Sequence, residues 1–170
     1  QYKLLKNLTI SNAVSHGLNE SGNSWYSKYI DIVTVNNGGT GFTVVPLYSH
    51  IQNITVSNNG NGITDSSNST NYFNVLVTGQ SGFGLYTSLF GGFARNITSV
   101  NNTGSGIILS PSGPANRLAN VLSANNNKGL DVGSGSNLSV SNLWVSNNTT
   151  GIDFTSSSTG SSFQNSLVLG

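Results

Sequence analysis

Residues 53–63 read NITVSNNGNGI, and the same phrase recurs along the chain as NLTISNAVSHGL at 7–18, DIVTVNNGGTGF at 31–42, NVLVTGQSGFGL at 74–85, NITSVNNTGSGI at 96–107, NVLSANNNKGL at 120–130 and NLWVSNNTTGI at 142–152. Its glycines, Gly17, Gly41, Gly62, Gly84, Gly106, Gly129 and Gly151, are separated by 24, 21, 22, 22, 23 and 22 residues. The opening polar residue is a second ruler: Asn7, Asp31, Asn53, Asn74, Asn96, Asn120, Asn142 and Asn165 lie 24, 22, 21, 22, 24, 22 and 23 apart. Two markers with one period identify a structural repeat of about 22 residues, the size of one solenoid coil.

Each copy carries three short apolar stretches, rich in β-branched residues and too short for helices. After the opening residue, Ile54 and Val56, Val75 and Val77, or Leu143 and Val145 alternate with polar neighbours, so one side faces a core and the other water. After the glycine, Phe42 and Val44, Ile107 and Leu109, Leu130 and Val132, and Ile152 and Phe154 do the same. A third stretch precedes the opening residue, with Leu5, Ile51, Tyr72, Leu118, Val140 and Phe163 two positions before it. One unit of this size cannot bury its apolar side alone, whereas stacked units share a continuous interior. The expected fold is therefore all-β: a single-stranded right-handed parallel β-helix, or β-solenoid, of about seven coils with three short strands per coil. At about 4.8 Å per coil the rod is about 34 Å long. Residues 1–170 form one such domain. Gln1 enters a coil almost at once and the chain stops at NSLVLG within another, so it reads as a piece of a longer solenoid or a filament subunit.

Five residues after each opening position stand Asn12, Asn36, Asn58, Gly79, Asn101, Asn125 and Asn147. Asn and Gly tolerate the left-handed backbone region, so this column reads as a tight structural corner. Stacked carboxamides there could bond along the rod. Counting back four from the glycine gives a competing column, Ala13, Asn37, Asn58, Gln80, Asn102, Asn125 and Asn147, and the Asn-Asn pairs allow both. A slip of one residue would turn side chains over.

Charged residues are only 6% of the chain, against about 25% in ordinary domains. Asn, Ser, Thr and Gly take their place. A net charge of +1 offers no electrostatic footprint for nucleic acid or an anionic membrane. There are no cysteines, hence no disulfides or thiolate chemistry. No apolar run reaches the ~18 residues of a membrane span, and QYKLLKNLTI lacks the order of a signal peptide. The composition suits an extracellular or cell-surface location.

The phrases NITVSNNGNGI, NITSVNNTGSGI and NLWVSNNTTGI resemble the Asn-rich right-handed parallel β-helix repeats of the pectate-lyase-like superfamily, including NosD-type periplasmic repeats and bacterial surface repeat proteins. The resemblance covers nearly the whole chain and implies the fold. It leaves function open, because lyases, hydrolases, adhesins and phage tailspikes share this scaffold. Polygalacturonase-like members bring NTD, a DD pair, G-H-G and R-I-K on successive coils, and none of these strings occurs here.

Polysaccharide cleavage needs clustered carboxylates, or calcium beside a basic residue. The acids are Glu20, Asp31, Asp65, Asp131 and Asp153, spread along the chain. Asp131 and Asp153 both follow their glycine by two, so they stack in adjacent coils; they are the weak catalytic candidates and the place to weigh calcium, with Lys128 near enough to offset their repulsion. No cofactor or metal site is otherwise expected, and His16 and His50 occupy different columns. Trp25, Tyr26, Tyr48, Tyr86 and Phe90 are candidate carbohydrate contacts, against a plain packing role. Tyr72 and Phe73 read as interior. Nine Asn-x-Ser/Thr sequons, such as Asn68 and Asn137, follow from composition. Regular repetition without a chemical cluster favours a non-enzymatic structural or surface solenoid: an adhesin, a spacer, or a filament module stacking end to end on its own copies. The alternative is a carbohydrate-binding or polysaccharide-cleaving β-helix. Ice binding is a lesser one, since Thr9, Thr55 and Thr98 share a column that Val33, Leu76, Leu122 and Trp144 interrupt.

Overall fold

The computed structural model describes residues 2–20, 25–111, 113, 115–155 and 158–169. All its strands pair in parallel with the equivalent strand one coil away, and no helix occurs among the described residues. A long sheet stacks Lys3–Ser11, Ser27–Val35, His50–Ser57, Asn71–Thr78, Phe93–Val100, Asn116–Ala124 and Leu138–Ser146, followed by Ser162–Gln164 and Leu167–Val168. A short sheet stacks Leu18–Asn19, Thr40–Val44, Asn61–Asp65, Leu85–Thr87, Ile107–Leu109, Lys128–Val132 and Thr150–Phe154. The third side is mostly irregular, with Gly135–Ser136 against Ser158–Thr159 and isolated bridges at Trp25–Leu47 and Asn68–Phe90.

The third and first stretches of the sequence are thus one strand, bent at the opening residue. Pairing runs through Lys6 and Ile30, skips Asn7 and Asp31, and resumes at Leu8 and Ile32. The skipped residues are left-handed, with φ of 56° at Asn7 and Asp31, 53° at Asn74 and 58° at Asn96. The predicted corner residues are left-handed too, from 53° at Asn58 and Asn147 to 70° at Gly79. A third left-handed column comprises Tyr26, Tyr48, Ser69, Gly91, Ala115, Asn137 and Gly160. Three such bends per coil fold each turn into a closed loop around the core.

Inward rows of one residue per coil fill that core. Ile32, Ile54, Val75, Ile97, Val121 and Leu143 form one; Tyr29, Ile51, Tyr72, Ala94, Leu118 and Val140 another; Phe42, Ile63, Leu85, Ile107 and Leu130 a third. All are buried, at about 1.5–3 kcal/mol for each large side chain. Phe73 corrects the sequence reading: next to inward Tyr72 it points outward, as alternation demands.

The two Asn registers are both used. The first Asn of each pair makes the bend; the next residue turns inward as a buried ladder of Asn37, Asn59, Gln80, Asn102, Asn126 and Asn148. Each side-chain oxygen accepts the backbone N–H of the preceding coil, from Asn37 N to Asn59 Oδ1 at 2.9 Å to Asn126 N to Asn148 Oδ1 at 2.8 Å. The ladder satisfies N–H groups that the corner leaves without a strand partner. Amide stacking expected at the corner itself is found there once, between Asn125 Nδ2 and Asn101 Oδ1 at 3.1 Å. The recurrent glycine faces this ladder: a Cβ on Gly129 would lie 2.6 Å from Gly151 O and 2.9 Å from Asn148 Nδ2.

Candidate functional site

The bend at the opening residue divides the outer side of the long sheet into two flanks that run along the rod. Between them lies a second, exposed ladder. Asn53 Nδ2 donates to Asp31 Oδ1 at 2.9 Å, Asn74 to Asn53 at 3.1 Å, Asn96 to Asn74 at 2.9 Å, Asn120 to Asn96 at 3.0 Å, Asn142 to Asn120 at 2.9 Å and Asn165 to Asn142 at 3.5 Å. A carboxamide has two N–H donors and two acceptor lone pairs, and the ladder uses one of each. The remainder faces solvent at every rung.

Each flank presents outward residues of the same strands. The flank after the bend carries Val33, Thr55, Leu76, Thr98, Leu122 and Trp144 in register, the mixed column read from sequence. Two open depressions of about 440 Å³ lie here, one over Asn53, Asn74 and Asn96 with Leu76, the other over Asn96, Asn120 and Asn142 with Leu122. The opposite flank, a cationic wall of two rows, carries Lys6, Lys28, His50, Phe73, Phe93, Arg95 and Arg117, and a depression of about 330 Å³ is lined by His50, Gln52, Phe73, Asn74, Arg95 and Asn96. Phe73 lies edge-on to Phe93 at 4.8 Å and tilted to His50 at 5.2 Å.

Charge is segregated. Of the six Lys and Arg, Lys3 pairs with Glu20 at 2.7 Å, and Lys128 holds Asp131 at 3.1 Å and Asp153 at 2.6 Å. The other four share the His50 wall, and among the described residues none makes an ion pair. Asp31, at the end of the exposed ladder, is the one acid on this face.

Asp131 and Asp153 are paired in register on the short sheet, away from the asparagine ladder. Lys128 bridges them, and hydrogen bonds to Asp153 and then Asp131 hold its ammonium above its usual pKa. The geometry is that of a neutralised surface triad. Among the described residues no group of three or more His, Asp or Glu is placed to hold a metal. His16 Nδ1 accepts from Thr40 N at 3.1 Å, which ties it to the next coil.

Of the aromatic candidates, the structure gathers Trp25, Tyr26 and Tyr48. Tyr26 stacks on Tyr48 with centroids 5.2 Å apart and planes at 17°, and Trp25 tilts against Tyr48 at 6.4 Å. Tyr86 is elsewhere, on the outer face of the short sheet beside Phe83 at 6.3 Å, and Phe90 lies over Gly113. Tyr26 and Tyr48 are left-handed at φ 62° and 57°, a backbone that costs an L-residue about 1–2 kcal/mol.

Sequence reasoning did not find the cationic wall, although its residues stand one or three positions before the opening marker and share outward parity. It also passed over Asp65, which lies three after Gly62, an inward position. Asp65 is fully buried and accepts from Ser67 N at 2.8 Å, Tyr72 OH at 2.7 Å, Thr87 Oγ1 at 3.1 Å and Ser67 Oγ. Burial raises its pKa despite these bonds, and burial, then the charge of Asp65, pushes that of Tyr72 well up.

No family model matches the chain, and no curated protein is similar to it. Among solved structures, the crystal structure of the periplasmic alginate epimerase AlgG matches 85% of this chain and 50% of its own, with a TM-score of 0.51 and 14% identity. The shared fold is the right-handed parallel β-helix. At this identity the likeness is one of fold, and the chain spans about half the length of that protein.

Proposed function

We propose that this β-helix binds an acidic polysaccharide lengthwise along the exposed asparagine ladder and its cationic flank without cleaving it, at the cell surface or in the envelope. The observation that carries this is the gathering of every Lys and Arg not already paired with an acid, together with His50, on one flank of a ladder of repeating carboxamides. A pyranose unit of an extended glycan advances by a distance close to one rung of about 4.8 Å, so each unit meets a fresh donor and acceptor. Arg95 and Arg117 supply planar donors matched to carboxylate or sulfate, and Phe73 offers an apolar surface between cationic rungs. The fold neighbour is a periplasmic alginate epimerase, which agrees with a polysaccharide ligand and an envelope setting. Non-catalytic binding is favoured because the remaining carboxylates lie elsewhere: Glu20 with Lys3, Asp65 inside, Asp131 and Asp153 on the short sheet.

Affinity electrophoresis in gels containing alginate or polygalacturonate tests this. Retardation should fall with added salt, and Arg95→Ala/Arg117→Ala should weaken it about tenfold, as two half-exposed charge contacts worth about 1.4 kcal/mol together imply. Unretarded migration, or retardation insensitive to both salt and the double variant, refutes it. A second reading, proton abstraction beside a uronate carboxylate, is favoured by one observation: His50 and Arg95 line the same depression, a base near a carboxylate-neutralising cation. Unsaturated products absorbing in the ultraviolet, or epimerised units in proton NMR, abolished by His50→Ala, would establish it in place of simple binding.

A further inference from the structure

We propose that Trp25, Tyr26 and Tyr48 form a second binding site, independent of the asparagine ladder, that takes a neutral hexopyranose ring by stacking. The three side chains are 50%, 55% and 47% exposed, so their rings are not there to fill the core. The left-handed column that holds Tyr26 and Tyr48 is occupied in later coils by Ser69, Gly91, Ala115, Asn137 and Gly160. The bend therefore has no need of an aromatic ring. Two adjacent coils nonetheless carry tyrosine in a backbone conformation that bulky residues avoid, and the rings lie nearly parallel with a tryptophan beside them.

The chemistry of the cluster selects its ligand. Flat aromatic faces match the C–H faces of a pyranose, and tyrosine hydroxyls at the rim can bond its hydroxyls. A carboxylated sugar would find no cation among the three rings. A quaternary ammonium, the other frequent guest of aromatic cages, would find no carboxylate in the cluster. The Lys28 ammonium lies over the Tyr2 ring, 5.9 Å from its centroid, and leaves the cluster uncharged. A neutral hexose is the guest these features fit.

The column also supplies variants that the fold already accommodates. Tyr26→Asn and Tyr48→Ser install residue types found at Asn137 and Ser69. The chain has two tryptophans, so Trp144→Phe leaves Trp25 as the sole tryptophan, read by excitation at a wavelength that tyrosine does not absorb. In that background we would titrate hexasaccharides of β-1,4-glucan, β-1,3-glucan, β-1,4-mannan and α-1,4-glucan, with choline as the cationic control, and follow Trp25 emission. At least one hexasaccharide should shift it saturably. Tyr26→Asn/Tyr48→Ser should lose at least tenfold in affinity while its melting temperature stays level or rises, and Arg95→Ala/Arg117→Ala should leave neutral-sugar binding unchanged. The proposal is overturned if no hexasaccharide saturates, if choline alone binds, if the double tyrosine variant keeps its affinity, or if that variant melts more than about 5 °C lower, which would mark the rings as structural. Failure of the ladder reading shows separately, as loss of acidic-polysaccharide retardation with this titration intact.

Discussion

Asn126→Ala should unfold the protein far more readily than removal of a carboxamide from the exposed ladder. Asn126 Oδ1 accepts both Asn102 N and Asn102 Nδ2 at 2.9 Å, and its own Nδ2 donates to Ser99 O and Ser123 Oγ at 3.1 Å. Asn102 is 3% exposed, so water cannot take over. Alanine strands two buried donors and one carbonyl; at about 1–3 kcal/mol for each unmet group, with partial relaxation, the loss is about 3 kcal/mol. For a chain of this size that is a fall of about 6–12 °C in melting temperature. Asn120→Gly is the control. Its carboxamide makes two similar bonds at 2.9 and 3.0 Å, but they are exposed and its φ of 54° suits glycine, so the cost should stay within about 1 kcal/mol. Circular dichroism melts of both variants, with hydrogen exchange at the Asn102 amide, read the difference. Equal melting of the two, or an Asn126→Ala midpoint within about 2 °C of the parent, would refute the view that burial sets the worth of these ladders.

Three further outcomes follow from the same geometry. Because burial raises the Asp65 pKa above 3.8, the folded state binds that proton more tightly than the unfolded chain; stability should rise as pH falls from neutral through the raised value and level off below 3.8, and Asp65→Asn should remove that rise in melts across pH. Lys128→Gln leaves Asp131 and Asp153 facing each other without their bridging cation, so it should melt below the parent at pH 7 and low salt, with the gap narrowing as added salt screens the pair; equal melting of the two at low salt would count against the bridge. Gly129→Ala puts a methyl against the Gly151 carbonyl and Asn148, and should lower the urea midpoint by an amount equivalent to about 1–3 kcal/mol, whereas Gly133→Ala, whose nearest neighbour is Ser110 Oγ at 3.3 Å, should cost less.

The winding was legible because glycine and Asn columns each repeat at about 22 residues, and steric need at Gly129 explains why nothing larger replaces it. Two sequence features were harder to separate. The Asn-Asn pairs do two jobs on consecutive residues, one bending and one bonding inward, so a single column could not be drawn through both. Asn53, Asn74 and Asn96 looked like strand openings, yet the left-handed tolerance invoked for the corner applied to them equally. The cationic wall was hidden by arithmetic: a net charge of +1 sums over faces, while Arg95 and Arg117 stand on one side and Asp131 and Asp153 on another. Parity counting from the opening marker would have revealed it. Trp25, Tyr26 and Tyr48 were singled out by residue type; that they meet while Tyr86 and Phe90 do not depends on the third side, where repeat lengths vary and no alternation guides the eye.

The carboxamides of the exposed ladder all point the same way, each amino group toward the preceding coil and each oxygen toward the following one. Such a track tells a polymer which end is which but not where to stop, since a displacement by one rung meets the same carboxamide. The stopping point is left to the flanks, where Phe73, Arg95 and Trp144 differ from the residues one coil away.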